Sequence, residues 1–241
     1  MLYLIGIGLK GLGSMSIEGL ETAKRCKKVY LESYTSKIDV KSLKKELKIV
    51  MANREMIEHS GDKIVLEAEK EDVAVLIIGD VFGATTHYDI YLRAKEKGVN
   101  VEVIGGESIL SAVGIVGLSL YKYGKVASIP FENEHVKTAS EIVKVNLDND
   151  MHSLVLLDLD PGKKKFLTLK EGIDYLIRSN VITSVDKIVG CARIGSSEKI
   201  VYGSAGDICS VDFGEAPYCI VVPCKNLHFM EEEALERWKP I

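Results

Sequence analysis

A chain of 241 residues, 46% hydrophobic and 27% charged with five prolines, is no disordered or fibrous protein and has room for one large core or two smaller ones. Its formal net charge of −4 argues against a surface that coats nucleic acid, which needs a basic excess. Five cysteines, odd in number and without a C-x-x-C pair, point to reduced thiols rather than disulfides or zinc. No apolar run approaches the roughly 20 residues needed to span a bilayer, and the start of the chain lacks the pattern of a signal peptide. The expected setting is cytoplasmic, with no membrane partner.

Residues 2–7 read as a short apolar strand ending in glycines, and 17–28 as a helix with Leu20, Ala23 and Cys26 inward. Residues 29–31 are a second strand. Residues 37–72 are rich in lysine and glutamate, with helical patterning at 40–47 and 64–71, and are expected to be exposed connecting helices. The stretch VLIIGDVFGATTH, residues 75–87, organises the rest. It begins with an aliphatic run bounded by glycine, the pattern of a central parallel strand. Thr86 and Asp89 form an expected helix N-cap pair. Asp80 then falls just past the strand's carboxyl end, where open α/β sheets bind ligands. With Gly79, Gly83 and Ala84 beside it, it suggests a small molecule lying against backbone; a tight turn capped by its own Asp fits the same residues.

Residues 88–97 read as a helix stopped by Gly98, and 99–104 as the next strand. Ser108 caps an apolar helix, ILSAVGIVGLSL, in which Ala112, Gly114 and Gly117 permit close packing. The pattern restarts at 126–129, placing a domain boundary near 121–125 and dividing the chain into residues 1–122 and 123–241. The second half repeats the alternation. A helix is expected at 138–147, a strand at 154–157 ending in Asp158, and a helix from the Thr168/Glu171 capping box to about 178. Strands follow at 187–192 and 218–222, with 200–210 left open between strand, turn and short helix. Residues 229–238 close the chain as a helix with an acidic start.

Gly6, Gly8 and Gly11 form G-x-G-x-x-G after a strand, and Glu32 follows about 20 residues later, the spacing of a dinucleotide fold. Against it, the helix starts only after residues 13–16, whereas that motif needs its third glycine to open the helix. Asp80, Ser108, Asp158 and Tyr218 all lie at expected strand ends, so one crevice could gather them, or each could simply terminate its own strand. His59, His87, His135, His152 and His228 have no metal-ligand spacing, so no metal is expected. There is no G-x-S-x-G nucleophile motif.

The segments LYLIGIGLKG, SIEGLETAKRCKKVYLESYTS, GDVFGATTHYDIYLRAKEKGV, ESILSAVGIVGLSLYKYGK, LLDLD and GEAPYCIVVP together resemble the diphthine synthase branch of the tetrapyrrole-methylase-like family. The likeness extends over nearly the whole chain and is far more specific than the glycine triplet. It implies two α/β domains with a cofactor cleft between them, a homodimer, and S-adenosylmethionine as cofactor. The implied substrate is a modified histidine of elongation factor 2, whose amino group is methylated during diphthamide biosynthesis. Carried onto matching positions, the cofactor contacts are Leu9, Asp80, Gly83, Ser108, Ile109, Leu157, Ile194 and Tyr218, with Thr85, Thr86 and His87 as loop residues near the methyl donor. No catalytic base is assigned. The chain departs from the family pattern at Val81, Gly83, Ile194 and Tyr218, and residues 130–152 look shortened. Two rival readings remain, a non-catalytic relative that keeps the cofactor or partner surface, and an NAD-dependent oxidoreductase resting on the glycines and Glu32.

Overall fold

Short strands of β-branched and aliphatic residues build two five-stranded sheets and a two-stranded hairpin. The computed structural model describes the chain apart from residues 35–37, 39, 86, 240 and 241. Two units result, Met1–Leu110 with Pro161–Lys163, and Ser111–Asp160 with Lys164–Ile241.

In the first unit, β1 (Leu2–Gly6), β2 (Lys28–Glu32), β3 (Ile49–Ala52), β4 (Val73–Ile77) and β5 (Val101–Ile104) form a parallel sheet in the order β3-β2-β4-β1-β5. Every residue of β4 is buried, and alternate side chains point to opposite faces. Ala74, Leu76 and Ile78 pack with Ile5, Ala23, Leu31 and Leu43, so α1 (Ile17–Arg25) and α2 (Val40–Glu46) cover that face. Val73, Val75 and Ile77 pack with Leu4, Ile64, Val65, Ile90 and Ala94, beneath α3 (Gly61–Ala68) and α4 (Tyr88–Glu96). Ser16 caps α1 by accepting the Gly19 N–H at 3.0 Å, and Gly98 at φ +72° follows α4. The expected connecting region 37–72 needs correction. It contains β3, a strand that extends the sheet by pairing with β2 and buries Ala52 completely.

The helix expected over 109–120 is also corrected. Only α5 (Ile109–Ala112) is α-helical; a 3₁₀ turn, Val113–Val116, follows and Gly117 ends it at φ +95°. A Cβ on Gly117 would lie 2.3 Å from that of Ala234, so the chain turns there where only glycine fits.

The second unit places β6 (Ala127–Ile129), β7 (Ser153–Leu157), β10 (Lys187–Ala192), β11 (Lys199–Ser204) and β12 (Tyr218–Val222) in the order β11-β10-β12-β7-β6. The pair β6/β7 is parallel and the other pairs are antiparallel. A small hairpin joins β8 (Leu159–Asp160) to β9 (Lys165–Phe166). Residues 200–210, left open by sequence, supply most of β11 and the short α8 (Ala205–Ile208), which comes after α6 (Thr138–Asp148) and α7 (Leu169–Arg178). The expected capping box at the start of α7 forms: Thr168 Oγ1 accepts the Glu171 N–H at 3.2 Å and Glu171 Oε2 accepts the Thr168 N–H at 2.8 Å. Ile129, Val155, Leu157, Ile173, Leu176, Ile188 and Ile220 make the core, and α9 (Phe229–Glu236) closes the chain. Among the described residues no helix is long and apolar enough to cross a membrane.

Candidate functional site

Three loops leave the carboxyl edge of the first sheet at adjacent strands, after β4, β1 and β5, and glycines let their backbones touch. Gly8 and Gly79 exchange two N–H···O bonds of 3.0 Å. A Cβ on Gly6 would sit 2.6 Å from Gly106 N and 2.8 Å from Gly79 O. No side chain fits between these three strand exits.

Asp80 locks the arrangement. Its Oδ1 accepts the Phe82 N–H at 2.9 Å and the Gly83 N–H at 3.0 Å, and its Oδ2 accepts the Gly106 N–H at 3.2 Å. One carboxylate thus ties the loop after β4 to the loop after β5. The capped turn is present, but a carboxylate offers about four lone-pair sites, so Oδ2 keeps capacity for one more donor. The residues around it explain two departures from the family pattern. Val81 is fully buried in the apolar cluster on the α3/α4 face, and a Cβ on Gly83 would lie 2.7 Å from Ser108 Oγ. Ser108 in turn accepts the Leu110 N–H at 3.2 Å. Leu9, Asp80, Gly83, Ser108 and Ile109, far apart in sequence, therefore share one edge of this unit. Ser108 is buried and the other four are half-exposed, leaving an apolar rim around one carboxylate.

Beyond Gly83 the chain takes an unusual turn. Ala84 has φ +59°, a left-handed conformation that costs an L-residue roughly 1–2 kcal/mol. Thr85 is left half-exposed while His87 is buried. His87 Nε2 is 3.1 Å from Tyr34 Oη, and Nδ1 pairs with Thr85 Oγ1. Burial pushes the imidazole down to about 4, so it is neutral at ordinary pH. Burial, with Glu32 and Glu58 nearby, pushes the Tyr34 phenol up against the opposing influence of Arg54. Thr86, half of the expected cap pair, lies outside the described residues; α4 starts at Tyr88 after His87. Tyr34 has no signal in the sequence, because its partner is 53 residues away.

The glycine triplet is not a phosphate cradle. Gly11 opens a 3₁₀ turn, Gly11–Gly13, and α1 begins only at Ile17. Ser14 Oγ fills the space a Cβ on Gly8 would need, accepting the Lys10 N–H at 2.8 Å and donating to Ile7 O at 3.0 Å. Glu32, the ribose acid of the rival dinucleotide reading, is fully buried. Its carboxylate accepts the Ile78 N–H at 3.1 Å and the Tyr34 N–H at 3.2 Å.

In the second unit the predicted residues also share one edge. Leu157 ends β7, Ile194 follows β10, and Tyr218 begins β12. Because β12 runs antiparallel to both neighbours, its first residue lies beside their last. Asp158, just past β7, accepts the Phe131 N–H at 3.2 Å and the Leu159 N–H at 2.9 Å, a backbone anchor like Asp80. Tyr218 Oη donates to Gly214 O, and burial raises its phenol while nearby Arg193 opposes. Arg193 donates to Ser197 O at 3.0 Å and Phe213 O at 2.9 Å, and to Glu215 O, which holds the loop before Tyr218.

The family of Tetrapyrrole (Corrin/Porphyrin) Methylases matches residues 1–209. A protein of Methanocaldococcus jannaschii named diphthine synthase is 40% identical over 98% of this chain and 98% of its own length. A Homo sapiens protein named diphthine methyl ester synthase is 37% identical over 98% of this chain and 94% of its own. A crystal structure of diphthine synthase superposes with a TM-score of 0.91 at 32% identity, covering 99% of this chain and 95% of that one.

Proposed function

The chain belongs to the tetrapyrrole methylase family, in its diphthine synthase branch, and is a methyltransferase of diphthamide biosynthesis; from that premise we propose that it methylates the amino group of the modified histidine of elongation factor 2, using S-adenosylmethionine. One observation carries the reading. The likeness to diphthine synthases runs through both units rather than stopping at a shared cofactor fold.

The residues present fit such a cofactor. A zwitterionic nucleoside sulfonium needs an apolar wall, a carboxylate with a spare acceptor site, and a backbone already in place. Leu9 and Ile109 offer the wall, Asp80 Oδ2 the acceptor, and the Gly6–Gly79–Gly106 packing the rigidity. We place Leu9, Asp80, Gly83, Ser108 and Ile109 of the first unit as its contacts. When bound, the sulfonium supplies a methyl carbon already activated for displacement. The protein's part is to hold a neutral amine in line and exclude water, and orientation of that kind can supply about 7–11 kcal/mol of barrier reduction. No buried general base is required. We also propose a homodimer in a cytoplasmic setting, checked by light scattering and by fractionation.

The test is transfer of labelled methyl from S-adenosylmethionine to elongation factor 2 carrying the unmethylated diphthamide intermediate. Label above a no-enzyme blank is expected; its absence with the cofactor bound would leave the non-catalytic reading. In calorimetry S-adenosylhomocysteine is expected to bind and NADH not to, and Asp80→Ala is expected to weaken the former. A second reading has its own observation, since the human relative carries the name diphthine methyl ester synthase. Transfer to a carboxylate gives an ester that mild alkali hydrolyses, whereas N-linked methyl survives. Mass spectrometry of the product before and after alkali separates the two.

A further inference from the structure

We propose that Thr85 Oγ1 accepts an N–H of the methyl-accepting amine, and that His87, held by Tyr34, is the positioning residue that makes the Thr85 hydroxyl an acceptor. The inference rests on the proposed methyl transfer at the carboxyl edge of the first unit and adds the group that orients the nucleophile.

The local structure isolates Thr85 for such a contact. Asp80 pins the loop through residue 83, and the left-handed Ala84 then turns the chain. Strain of this kind persists where the surroundings enforce it and gathers at working sites. Thr85 is half-exposed, whereas His87, with which its hydroxyl pairs, is at 1% exposure.

Hydrogen-bond direction supplies the rest. A neutral imidazole has one donor and one acceptor nitrogen, and here both face hydroxyls, Tyr34 Oη at Nε2 and Thr85 Oγ1 at Nδ1. The two bonds must therefore run in the same sense along the chain of three residues. If Nε2 carries the proton, His87 donates to Tyr34 and Thr85 must donate to Nδ1. The Thr85 proton is then committed inward and its lone pairs point out. If Nδ1 carries the proton, Thr85 spends one lone pair on His87 and turns its own proton outward beside the single lone pair left, a competing donor where the amine approaches. An amine about to attack a methyl group has N–H bonds to donate and needs its lone pair free for the carbon, so it requires an outward acceptor. The Nε2–H tautomer is the one that serves it. Attack forms the N–C bond and breaks the C–S bond, and the proton left on the new ammonium goes to water. Glu32, Glu58 and Arg54 are the charged groups that act on Tyr34, and its phenol stays protonated throughout.

The test joins a spectroscopic readout to kinetics. In ¹⁵N NMR of the whole protein the His87 Nε2 resonance is expected at a protonated, pyrrole-like shift and Nδ1 at an unprotonated one; the reverse pattern overturns the inference. Tyr34→Phe removes the acceptor for Nε2–H and is expected to move the proton to Nδ1. Thr85→Val should lower kcat by about tenfold or more, the scale on which lost orientation acts, with S-adenosylhomocysteine affinity within about twofold of wild type. Thr85→Ser, which keeps the hydroxyl, should restore most of the rate. Wild-type kcat in Thr85→Val, or a parallel loss of S-adenosylhomocysteine affinity, would overturn the role. Wild-type protein that binds no S-adenosylhomocysteine would instead remove the underlying functional reading, so the two failures are distinct.

Discussion

Glu231 Oε1 lies 3.1 Å from His152 Nε2, and because His152 Nδ1 accepts the Cys224 N–H at 3.0 Å, the imidazole has to present its proton to the carboxylate. Both residues are buried. Glu231 also accepts from Lys122 Nζ at 2.7 Å and from the backbone N–H groups of Ser119 and His228, each at 2.9 Å. The pair fastens α9 to the start of β7 and to the turn around residues 119–122. An acidic first turn was legible as a favourable helix start, yet its first glutamate does more than meet a helix dipole.

Glu231→Ala strands a buried imidazole and two amides and leaves the Lys122 ammonium with the Asn226 O acceptor. Removing one partner of a buried ion pair costs about 3–5 kcal/mol, and Glu231→Gln, which keeps the shape and one acceptor oxygen, should cost less. Burial raises the Glu231 carboxyl, but the Lys122 bond and the His228 and Ser119 amides together outweigh it and hold the group well below the carboxylate range. Its stabilisation is therefore present above the unfolded carboxyl's pKa and is lost as pH falls below it. Urea unfolding at neutral pH checks the first claim. An alanine variant within 1 kcal/mol of wild type, on that general scale, would mean the pair fastens nothing.

His87 predicts a separate acid limb. Desolvation lowers it from 6.5 to about 4, so between those values the unfolded chain binds a proton the folded chain does not. Stability then falls as pH drops from 6.5 towards 4, by up to about 3 kcal/mol from this residue. His152, also lowered chiefly by burial, adds to the same limb. Urea midpoints across this range should show a shallower slope in His87→Gln than in wild type. Parallel slopes would contradict a buried neutral His87.

The strand-exit glycines should tolerate no methyl group. At Gly106 a Cβ would lie 2.4 Å from Gly79 O and 2.6 Å from Gly6 C. Backbone atoms cannot step aside as a side-chain tip can, so Gly106→Ala and Gly6→Ala should each lose about 1–3 kcal/mol or more, the range for overpacking, and weaken S-adenosylhomocysteine binding. Gly13→Ala is the control, since its nearest neighbour, Lys10 Cβ, is 3.6 Å away. Thermal unfolding and calorimetry on the three variants decide it, and a Gly106→Ala protein as stable as Gly13→Ala would refute the close packing.

Local signals were the legible ones. The β4 run, the Thr168/Glu171 box and the Gly98 stop each depend on residues within a few positions, and all three formed. Strand β3 escaped because four residues in a lysine-rich stretch carry too little pattern: only Ala52 is buried, and the strand is defined by its pairing with β2. The apolar period of residues 109–120 continued past the point where Gly117 turns the backbone left-handed. At the candidate site, sequence located Asp80 at a strand end but not its partner Gly106, 26 residues on. Pairings such as Tyr34 with His87 are set by the order of strands in the sheet, which no local window contains.

Glu32 tests the dinucleotide reading most directly. In that reading its carboxylate faces a ribose, and replacing it would abolish binding of NADH while leaving the fold alone. In the structure it is fully buried and accepts the N–H groups of Ile78 and Tyr34, joining the ends of β4 and β2. Glu32→Gln would turn an amide NH₂ towards one of those N–H donors, leaving a buried donor unsatisfied at about 1–3 kcal/mol. The disturbance reaches Tyr34 and through it His87. The expected result is a lower urea midpoint, an altered His87 NMR signal, and no NADH binding in either protein. Unchanged stability together with NADH binding by the wild type alone would falsify the structural role and restore the oxidoreductase reading.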